Sequence, residues 1–142
     1  MKDITDDEYN DDGQIIKCLS GSAIKDAPEE RVRQRFIKIL HSDYGYPIDC
    51  ILREIPVQSG SSILTNESDG SPIRADIVVY KDKKATLQKD QGNILFVVEC
   101  KKPNVTDGYA QLVSYVFNTS SVGGVWANSE CISVYKKTIE SV

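Results

Sequence analysis

Apolar residues recur at helical spacing in the segment that follows residue 26. The recurring positions fall on one face of a helix: Val32, Phe36, Ile39 and Leu40. Asp26 and Glu29 form a capping-box-like pair at its start, and Pro28 suits a first helical turn. Gly45 and Pro47 interrupt the pattern. The sequence therefore predicts a first helix that ends before Gly45.

Three segments with the composition of strands follow this helix, at residues 48–57, 73–80 and 93–100. Pro56 places the first of them at a sheet edge, because proline cannot donate a ladder hydrogen bond. Residues 59–72 are rich in serine, glycine, asparagine and aspartate, which predicts a loop. Residues 81–92 carry six charges and a glycine, which predicts a polar turn between hairpin partners.

A second helix is predicted from Thr106 or Asp107, either of which can cap it, to about Asn118. Two short strands follow, at residues 125–127 and 131–135. The resulting order is helix, three strands, helix and two strands. Such mixing predicts an α/β layer structure, with a right-handed crossover between the third and fourth strands if these are parallel.

The charge is unevenly distributed along the 142 residues, whose formal net charge is −4. The first twelve residues hold six acids and one base, so the rest of the chain is close to neutral. We expect residues 1–25 to be an acidic, flexible tail and residues 26–142 to form one domain. No apolar run approaches the roughly 20 residues of a membrane span, and no phosphate-binding P-loop motif is present, so neither a membrane partner nor an ATP site is expected.

The cysteines and the histidine do not indicate a catalytic or zinc-binding role. The four cysteines, at positions 18, 50, 100 and 131, contain no C-x-x-C pair. We expect reduced thiols, and therefore a cytoplasmic protein. His41 is the single histidine, so every mechanism that needs two is excluded. It lies near the end of the first predicted helix, where an imidazole commonly caps carbonyl groups, and we interpret it as structural.

Charged residues interrupt two of the apolar strands. Asp76 lies inside the strand at 73–80, and Glu99 and Lys101 close the strand at 93–100. Unpaired charges are costly in buried strands. Glu99 and Lys101 are two residues apart and point to the same face, and Asp76 reaches them if the two strands are adjacent. Two carboxylates beside a lysine form an oxygen-rich site of the kind that Mg²⁺ prefers. The alternative is an ion-paired cluster without a metal.

The ordered set of motifs resembles the PD-(D/E)xK nuclease superfamily, and most closely the N-terminal nuclease domain of the R (restriction) subunit of type I restriction enzymes. The matching stretches are residues 28–34, 44–47, 74–80, 98–103 and 111–115, and the resemblance covers roughly residues 27–128. Ala75 stands where a proline often precedes the family's aspartate, here Asp76. The resemblance implies a restriction-endonuclease-like core, with a central mixed sheet of about four to five strands flanked by helices.

The resemblance also implies a metal-dependent DNA endonuclease. Its Mg²⁺, for which Mn²⁺ can substitute, would be bound by Asp76, Glu99 and the backbone carbonyl of Cys100. Lys101 would orient or help deprotonate the attacking water. The family often has an acid on the first helix that helps at the metal, and we assign this role to Glu29, because Glu30 is expected to point elsewhere.

Further residues are assigned to the predicted site from the second helix and from basic positions. Gln111 and Tyr115 match a Q-x-x-x-Y motif and share a helix face, where the glutamine can hold a phosphate or the attacking water. An ordinary surface glutamine and a core tyrosine are the alternatives. Arg33, Arg74 and Lys102 are candidate DNA contacts, although Arg33 and Arg74 are equally suited to ion pairs.

Several functional alternatives remain open at this point. In a type I enzyme the nuclease domain works with a helicase motor and with methylation and specificity subunits, which 142 residues are too few to include. The chain is therefore expected to be either an excised domain or a stand-alone nuclease, such as a dimeric resolvase or a defence effector. A non-catalytic relative that binds DNA or a protein is the other alternative.

Overall fold

The structure is a computed structural model that describes residues 15–17, 23–25, 27–66, 68–101, 108–128 and 131–137. In chain order the elements are β1 (Ile15–Lys17), β2 (Ala23–Lys25), α1 (Pro28–Ser42), β3 (Ile51–Pro56), β4 (Gln58–Ser59), β5 (Ser62–Ile63), β6 (Arg74–Tyr80), α2 (Lys83–Gln88), β7 (Ile94–Cys100), α3 (Tyr109–Asn118), β8 (Gly123–Ala127) and β9 (Ile132–Lys136). Short 3₁₀ turns precede β3 and β7, at Ile48–Cys50 and Gln91–Asn93.

The central sheet has five strands in the order β3-β6-β7-β8-β9. Strands β7 and β8 are parallel and are joined through α3, whereas the other neighbouring pairs are antiparallel. The predicted α/β architecture, a mixed sheet of four to five strands flanked by helices, is confirmed, and it fits a restriction-endonuclease-like core. The edge position predicted for Pro56 is also confirmed, because β3 is an outer strand of this sheet.

The sheet separates two apolar cores, because alternate residues of its strands face opposite sides. Val78 and Tyr80 of β6 pack in the core that contains Leu112 and Val116 of α3. Ile77 and Val79 pack in the other core, with Val32 and Phe36 of α1. The apolar stripe that predicted α1 is therefore the face that this helix buries against the sheet.

The second half of α1 lines an apolar groove that continues over β8 and β9. The groove has a volume of about 540 Å³, and Phe36, Leu40, Phe96 and Val134 are among the side chains that line it. Val134 is largely exposed on β9, which is the outer strand on this side of the sheet. α1 therefore covers only part of this face of the sheet.

The structure differs from the predictions in the segment at residues 81–92. The predicted polar turn is wrong, because Lys83–Gln88 form α2. The side chain of Asp82 caps this helix by accepting a hydrogen bond from the backbone N–H of Ala85, and Ala85 and Thr86 are buried. α2 ends at Lys89, whose φ is +49°. The first predicted strand also begins later than expected, at Ile51, because a 3₁₀ turn occupies Ile48–Cys50.

The N-terminal segment predicted as a tail contains two paired strands. β1 and β2 are antiparallel, with Ile16 opposite Ile24. The other residues of 1–22 lie outside the described residues, so the predicted flexibility of this segment stays a prediction. The predicted caps Asp26, Thr106 and Asp107 also lie outside the described residues.

The remaining structural predictions concern thiols, the histidine and membrane spans. Cys50, Cys100 and Cys131 are free thiols, as expected, whereas Cys18 lies outside the described residues. His41 donates from Nδ1 to the carbonyl oxygen of Tyr46 at 2.8 Å, which agrees with a structural role. Among the helices described, none is long and apolar enough to cross a membrane.

Candidate active site

The strand register brings together the two acids that the sequence selected. Ile77 pairs with Val98 across the antiparallel strands β6 and β7, so the next position along this register sets Asp76 opposite Glu99. Both side chains are buried. Like charges directly opposite each other are unfavourable in a sheet. A buried pair of acids in this position is therefore a costly arrangement that needs a compensating cation.

Both oxygens of Asp76 are hydrogen-bonded. Oδ1 accepts from Nη2 of Arg33 at 2.5 Å, and Oδ2 accepts from the backbone N–H of Cys100 at 2.7 Å. Arg33 comes from α1, and Cys100 ends β7. These two contacts fix the carboxylate between the helix and the end of the neighbouring strand.

Glu99 is more buried and less completely bonded than Asp76. Its side chain is only 4% exposed, and Oε1 lies 3.5 Å from Nζ of Lys101. Its Oε2 has no hydrogen-bond partner among the described residues. Burial, followed by the charge of Asp76, raises the pKa of Glu99 to about 9, and the positive charge of Lys101 only partly opposes this rise. Glu99 is thus a buried carboxyl group that Lys101 neutralises only in part, with one oxygen unpartnered among the described residues.

Gly108 holds the chain close to Lys101. Its φ is +97°, and a Cβ built on it would lie 2.5 Å from Cε of Lys101 and 3.4 Å from Cγ of Glu99. A side chain at this position would therefore displace the lysine, and the left-handed backbone would be strained for any residue other than glycine. Gly108 precedes α3 directly and is its N-terminal flanking residue.

Helix α3 contributes Tyr115 and Gln111. The hydroxyl of Tyr115 donates to the backbone carbonyl of Arg74 at 3.1 Å. Burial, with added contributions from the charges of Glu99 and Asp76, raises the pKa of Tyr115 well above its usual value, so the phenol stays protonated. Gln111 is half-buried one turn before Tyr115. The side chain of Arg74 is exposed at the start of β6.

The predicted orientation of the first acidic pair on α1 is wrong. Glu30, which we expected to point elsewhere, is buried, and Glu29 is half-buried. Glu30 accepts hydrogen bonds from Arg33 and Gln34, one turn further along the helix. The buried face of α1 also includes positions 30, 33, 34 and 37, so it is wider than the stripe that apolar residues alone suggested. The metal role assigned to Glu29 stays a prediction.

Arg33 is buried and forms ion pairs, whereas the sequence offered it equally as a DNA contact. Its Nη1 lies 2.5 Å from Oε1 of Glu30 and 3.5 Å from Oε1 of Glu54, and its Nη2 bonds Asp76. Burial opposes its charge, but the neighbouring carboxylates outweigh this effect and raise the pKa of Arg33. Lys102, the other basic residue assigned to DNA near this point, lies outside the described residues.

Two charged residues of β3 belong to the cluster and were missed by the sequence analysis. Arg53 donates to Oε1 of Glu30 at 2.5 Å and also pairs with Glu54 at 3.2 Å. The flanking pairs Arg53–Ile77 and Ile55–Ala75 place Glu54 opposite Asp76 in the register. Glu54 has a φ of +53°, which is uncommon for a residue with a side chain. The sequence did contain an indication of these two residues, because charged positions interrupt the apolar pattern of β3 as Asp76 interrupts that of β6.

The oxygen atoms of the predicted metal ligands are of the chemical kind that a hard divalent cation prefers. Within the described residues, no group of three or more histidine, cysteine or acidic side chains is arranged to hold a metal ion. The set predicted from the sequence is instead two carboxylates and a backbone carbonyl, all of them oxygen donors. The buried, unpartnered Oε2 of Glu99 is an acceptor that a cation beside Asp76 would satisfy.

One comparison with known proteins produced a match. The model of the family described as the type I restriction enzyme R protein N terminus matches residues 28–142. No curated protein and no solved structure matches the chain. The matched region includes all of the described charged cluster and the elements α1 to β9.

Proposed function

The chain belongs to the family of the type I restriction enzyme R protein N terminus, and from this premise we propose that it is a magnesium-dependent DNA endonuclease domain. The observation that carries the proposal is the pair Asp76 and Glu99, buried on adjacent strands, with Lys101 beside them. An oxygen of Glu99 has no partner among the described residues, which is expected of a ligand whose cation is supplied later.

The proposed ligands are the carboxylates of Asp76 and Glu99 and the carbonyl of Cys100, with Glu29 proposed to assist. When bound there, Mg²⁺ polarises a phosphodiester and lowers the pKa of a bound water. The charge of Glu29 is among the smaller causes that raise the pKa of the Cys100 thiol, after burial and the charge of Asp76, and this supports the choice of Glu29.

Lys101 is the proposed partner of the attacking water and of the developing negative charge. Its ammonium group lies 3.5 Å from Glu99, and the absence of a Cβ on Gly108 leaves room for its side chain. We propose that the ammonium form of this lysine orients the water and offsets negative charge in the transition state, whereas its neutral amine form accepts the proton of that water. The same position makes the lysine sensitive to a substitution at Gly108.

Helix α3 is proposed to position the substrate rather than to transfer protons. The hydroxyl of Tyr115 is bonded to the carbonyl of Arg74, so the tyrosine ties α3 to the start of β6, next to Asp76. The exposed side chain of Arg74 is proposed to contact a phosphate beside the site. Gln111, half-buried one turn earlier, is proposed to hold a phosphate oxygen or the attacking water.

Membership of the family supports a set of partners for this domain. We propose that DNA is its substrate, and that it works in the cytoplasm with a helicase motor and with methylation and specificity subunits. The motor would supply the ATP-driven movement on DNA, because the P-loop motif is absent from the 142 residues. The near-neutral charge outside the acidic N-terminus agrees with a domain that depends on partners for much of its DNA affinity.

Cleavage of supercoiled plasmid tests this proposal. The full chain is incubated with plasmid and Mg²⁺ or Mn²⁺, beside Lys101→Ala and the matched control Lys83→Ala, whose lysine side chain is 69% exposed. We expect nicking or linearisation by the wild type and the control, and a loss of about 10²- to 10⁴-fold in Lys101→Ala. Equal cleavage by Lys101→Ala and the wild type would contradict the mechanism.

The pairing of Asp76 with Arg33 favours one alternative function. An arginine that neutralises the aspartate is also the arrangement expected of a relative that has kept the fold but binds DNA or a protein without cutting. This alternative predicts that the wild type binds no divalent cation at Asp76, with or without DNA. Titration with Mn²⁺ therefore separates it from the endonuclease.

A further inference from the structure

Arg33 has partners on both sides of its guanidinium group. On one side Nη2 bonds Oδ1 of Asp76, in the proposed metal site. On the other side Nη1 bonds Glu30 and lies 3.5 Å from Glu54. The residue is only 7% exposed, and its Nε has no hydrogen-bond partner among the described residues. Arg33 therefore links the acids of α1 and β3 to the acid of β6.

The cluster around Arg33 is nearly balanced in charge without a metal ion. Its acids are Glu30, Glu54, Asp76 and Glu99, and its bases are Arg33, Arg53 and Lys101. In the row of acids that crosses β3, β6 and β7, Asp76 is the central member. Buried charges of one sign are stable only when paired, and in the described structure Arg33 is the cation on Asp76.

We propose that Arg33 is a positioning residue that serves as the resident countercation of Asp76 and competes with the divalent cation for that carboxylate. The inference rests on the proposed function, because it takes Asp76 as a metal ligand. When a cation binds, Arg33 keeps Glu30 and Glu54 as partners, so weakening its contact with Asp76 does not leave a buried charge alone. The competition lowers the affinity of the site for metal in the absence of DNA.

The proposal predicts opposite effects on cation binding when Arg33 and Glu30 are substituted. Arg33→Gln removes the competing charge and should tighten cation binding. Glu30→Gln removes an anion that shares the positive charge of Arg33 with Asp76, so Arg33 should neutralise Asp76 more fully and cation binding should weaken. A merely structural role for Arg33 predicts the same sign for both variants, because each removes a buried pairing and loosens the site.

Isothermal titration with Mn²⁺, without DNA, measures these effects on the full chain. Circular dichroism first establishes that each variant is folded. Lys83→Gln is the control for the loss of one positive charge, because Lys83 is exposed and its ion pair with the exposed Asp49 is long, at 3.8 Å. We expect about tenfold tighter binding in Arg33→Gln, about tenfold weaker binding in Glu30→Gln, and no change in Lys83→Gln.

The outcomes separate this inference from the proposed function. Binding that Asp76→Ala abolishes, with Arg33→Gln equal to or weaker than the wild type, overturns the role of Arg33 and leaves the metal site intact. Absence of Mn²⁺ binding in the wild type and in both variants overturns the inference, and repeating the titration with a duplex that cannot be cleaved then decides whether the metal site fails as well. If Arg33→Gln does not fold, Glu30→Gln and Arg33→Lys decide: unchanged affinity in Glu30→Gln, or tighter binding in the charge-preserving Arg33→Lys, overturns the competition.

Discussion

The two halves of α1 face the same sheet but meet opposite environments. The first half places Glu30 and Arg33 into a buried cluster of charges with Asp76. The second half places Phe36 and Leu40 against an apolar groove of about 540 Å³. This groove therefore lies away from the residues able to do chemistry. In this chain the candidate site is indicated by charged side chains that are buried and incompletely paired, and not by a cavity.

The difference follows from what each environment offers a ligand. Nearly all of the groove is lined by aliphatic and aromatic side chains and by glycine, with Lys136 as its charged lining residue, so it has little to bind a phosphate or a divalent cation. The cluster offers carboxylate oxygens, an ammonium group and an unpartnered acceptor on Glu99. Acidic residues with a strongly shifted pKa, such as Glu99, are more frequent at functional sites than elsewhere.

The largest effect on stability is expected in the apolar half. Phe36→Ala removes a buried aromatic ring from the core between α1 and the sheet, and should lower the free energy of unfolding by about 3–5 kcal/mol. Urea unfolding measures the loss, and Phe117→Ala, whose ring is 65% exposed, is the matched control. Below its unfolding transition Phe36→Ala should bind Mn²⁺ as the wild type does. Weakened binding would mean that the two halves of α1 are not independent.

The next effect is expected at Gly108, where activity should change more than stability. The Cβ of Gly108→Ala would collide with the flexible end of Lys101, so the lysine moves and cleavage should fall by about tenfold or more. The left-handed backbone adds a strain of about 1 kcal/mol. Gly70→Ala, at a φ of +72° with open space around it, is the control for strain alone. If Gly108→Ala and Gly70→Ala cut plasmid equally well, Gly108 does not affect the candidate site.

A smaller effect, on the pH dependence of stability, is expected for Glu99. Its pKa is raised to about 9 in the folded protein, above the ordinary value for a glutamate, so the folded state binds this proton more tightly than the unfolded state. The raised pKa makes stability fall as pH rises from about 5 to about 9. Glu99→Gln cannot ionise and should lose less stability over this range.

Urea unfolding in EDTA measures this difference at about pH 5.5 and about pH 8.5. The gain in stability of Glu99→Gln over the wild type should be larger at the higher pH. The exposed Asp49→Asn is the control for removal of an acidic charge. A gain that is independent of pH would show that Glu99 is ionised throughout the range.

The sequence predicted most of the fold because the pattern of apolar residues is strong where elements are long. Helix α1 and the central strands β6 and β7 follow from their periodicity and from continuous apolar runs. Helix α2 was missed, because its six residues carry no apolar stripe and depend on the side-chain cap from Asp82. A short helix of this kind is decided by one local hydrogen bond and by the burial of Ala85.

The candidate site was predictable in part, because its acids interrupt apolar strands. The sequence predicted that Asp76 and Glu99 would meet if their strands were adjacent, and the pairing of β6 with β7 sets Asp76 opposite Glu99. The orientation of Glu30 and the pairing of Arg33 with Asp76 were not predictable, because they depend on how α1 is rotated against the sheet. A rotation of one residue position exchanges Glu29 for Glu30, and apolar periodicity does not define the helix to that accuracy.

Titration of the wild type and of Asp76→Ala with Mn²⁺, each alone and with a duplex that cannot be cleaved, tests the central claim most directly. The account predicts binding by the wild type, stronger with the duplex, and its loss in Asp76→Ala. Circular dichroism is the control for folding of the variant. Equal binding by the two proteins, or no binding by the wild type even with the duplex present, would contradict a metal site at Asp76.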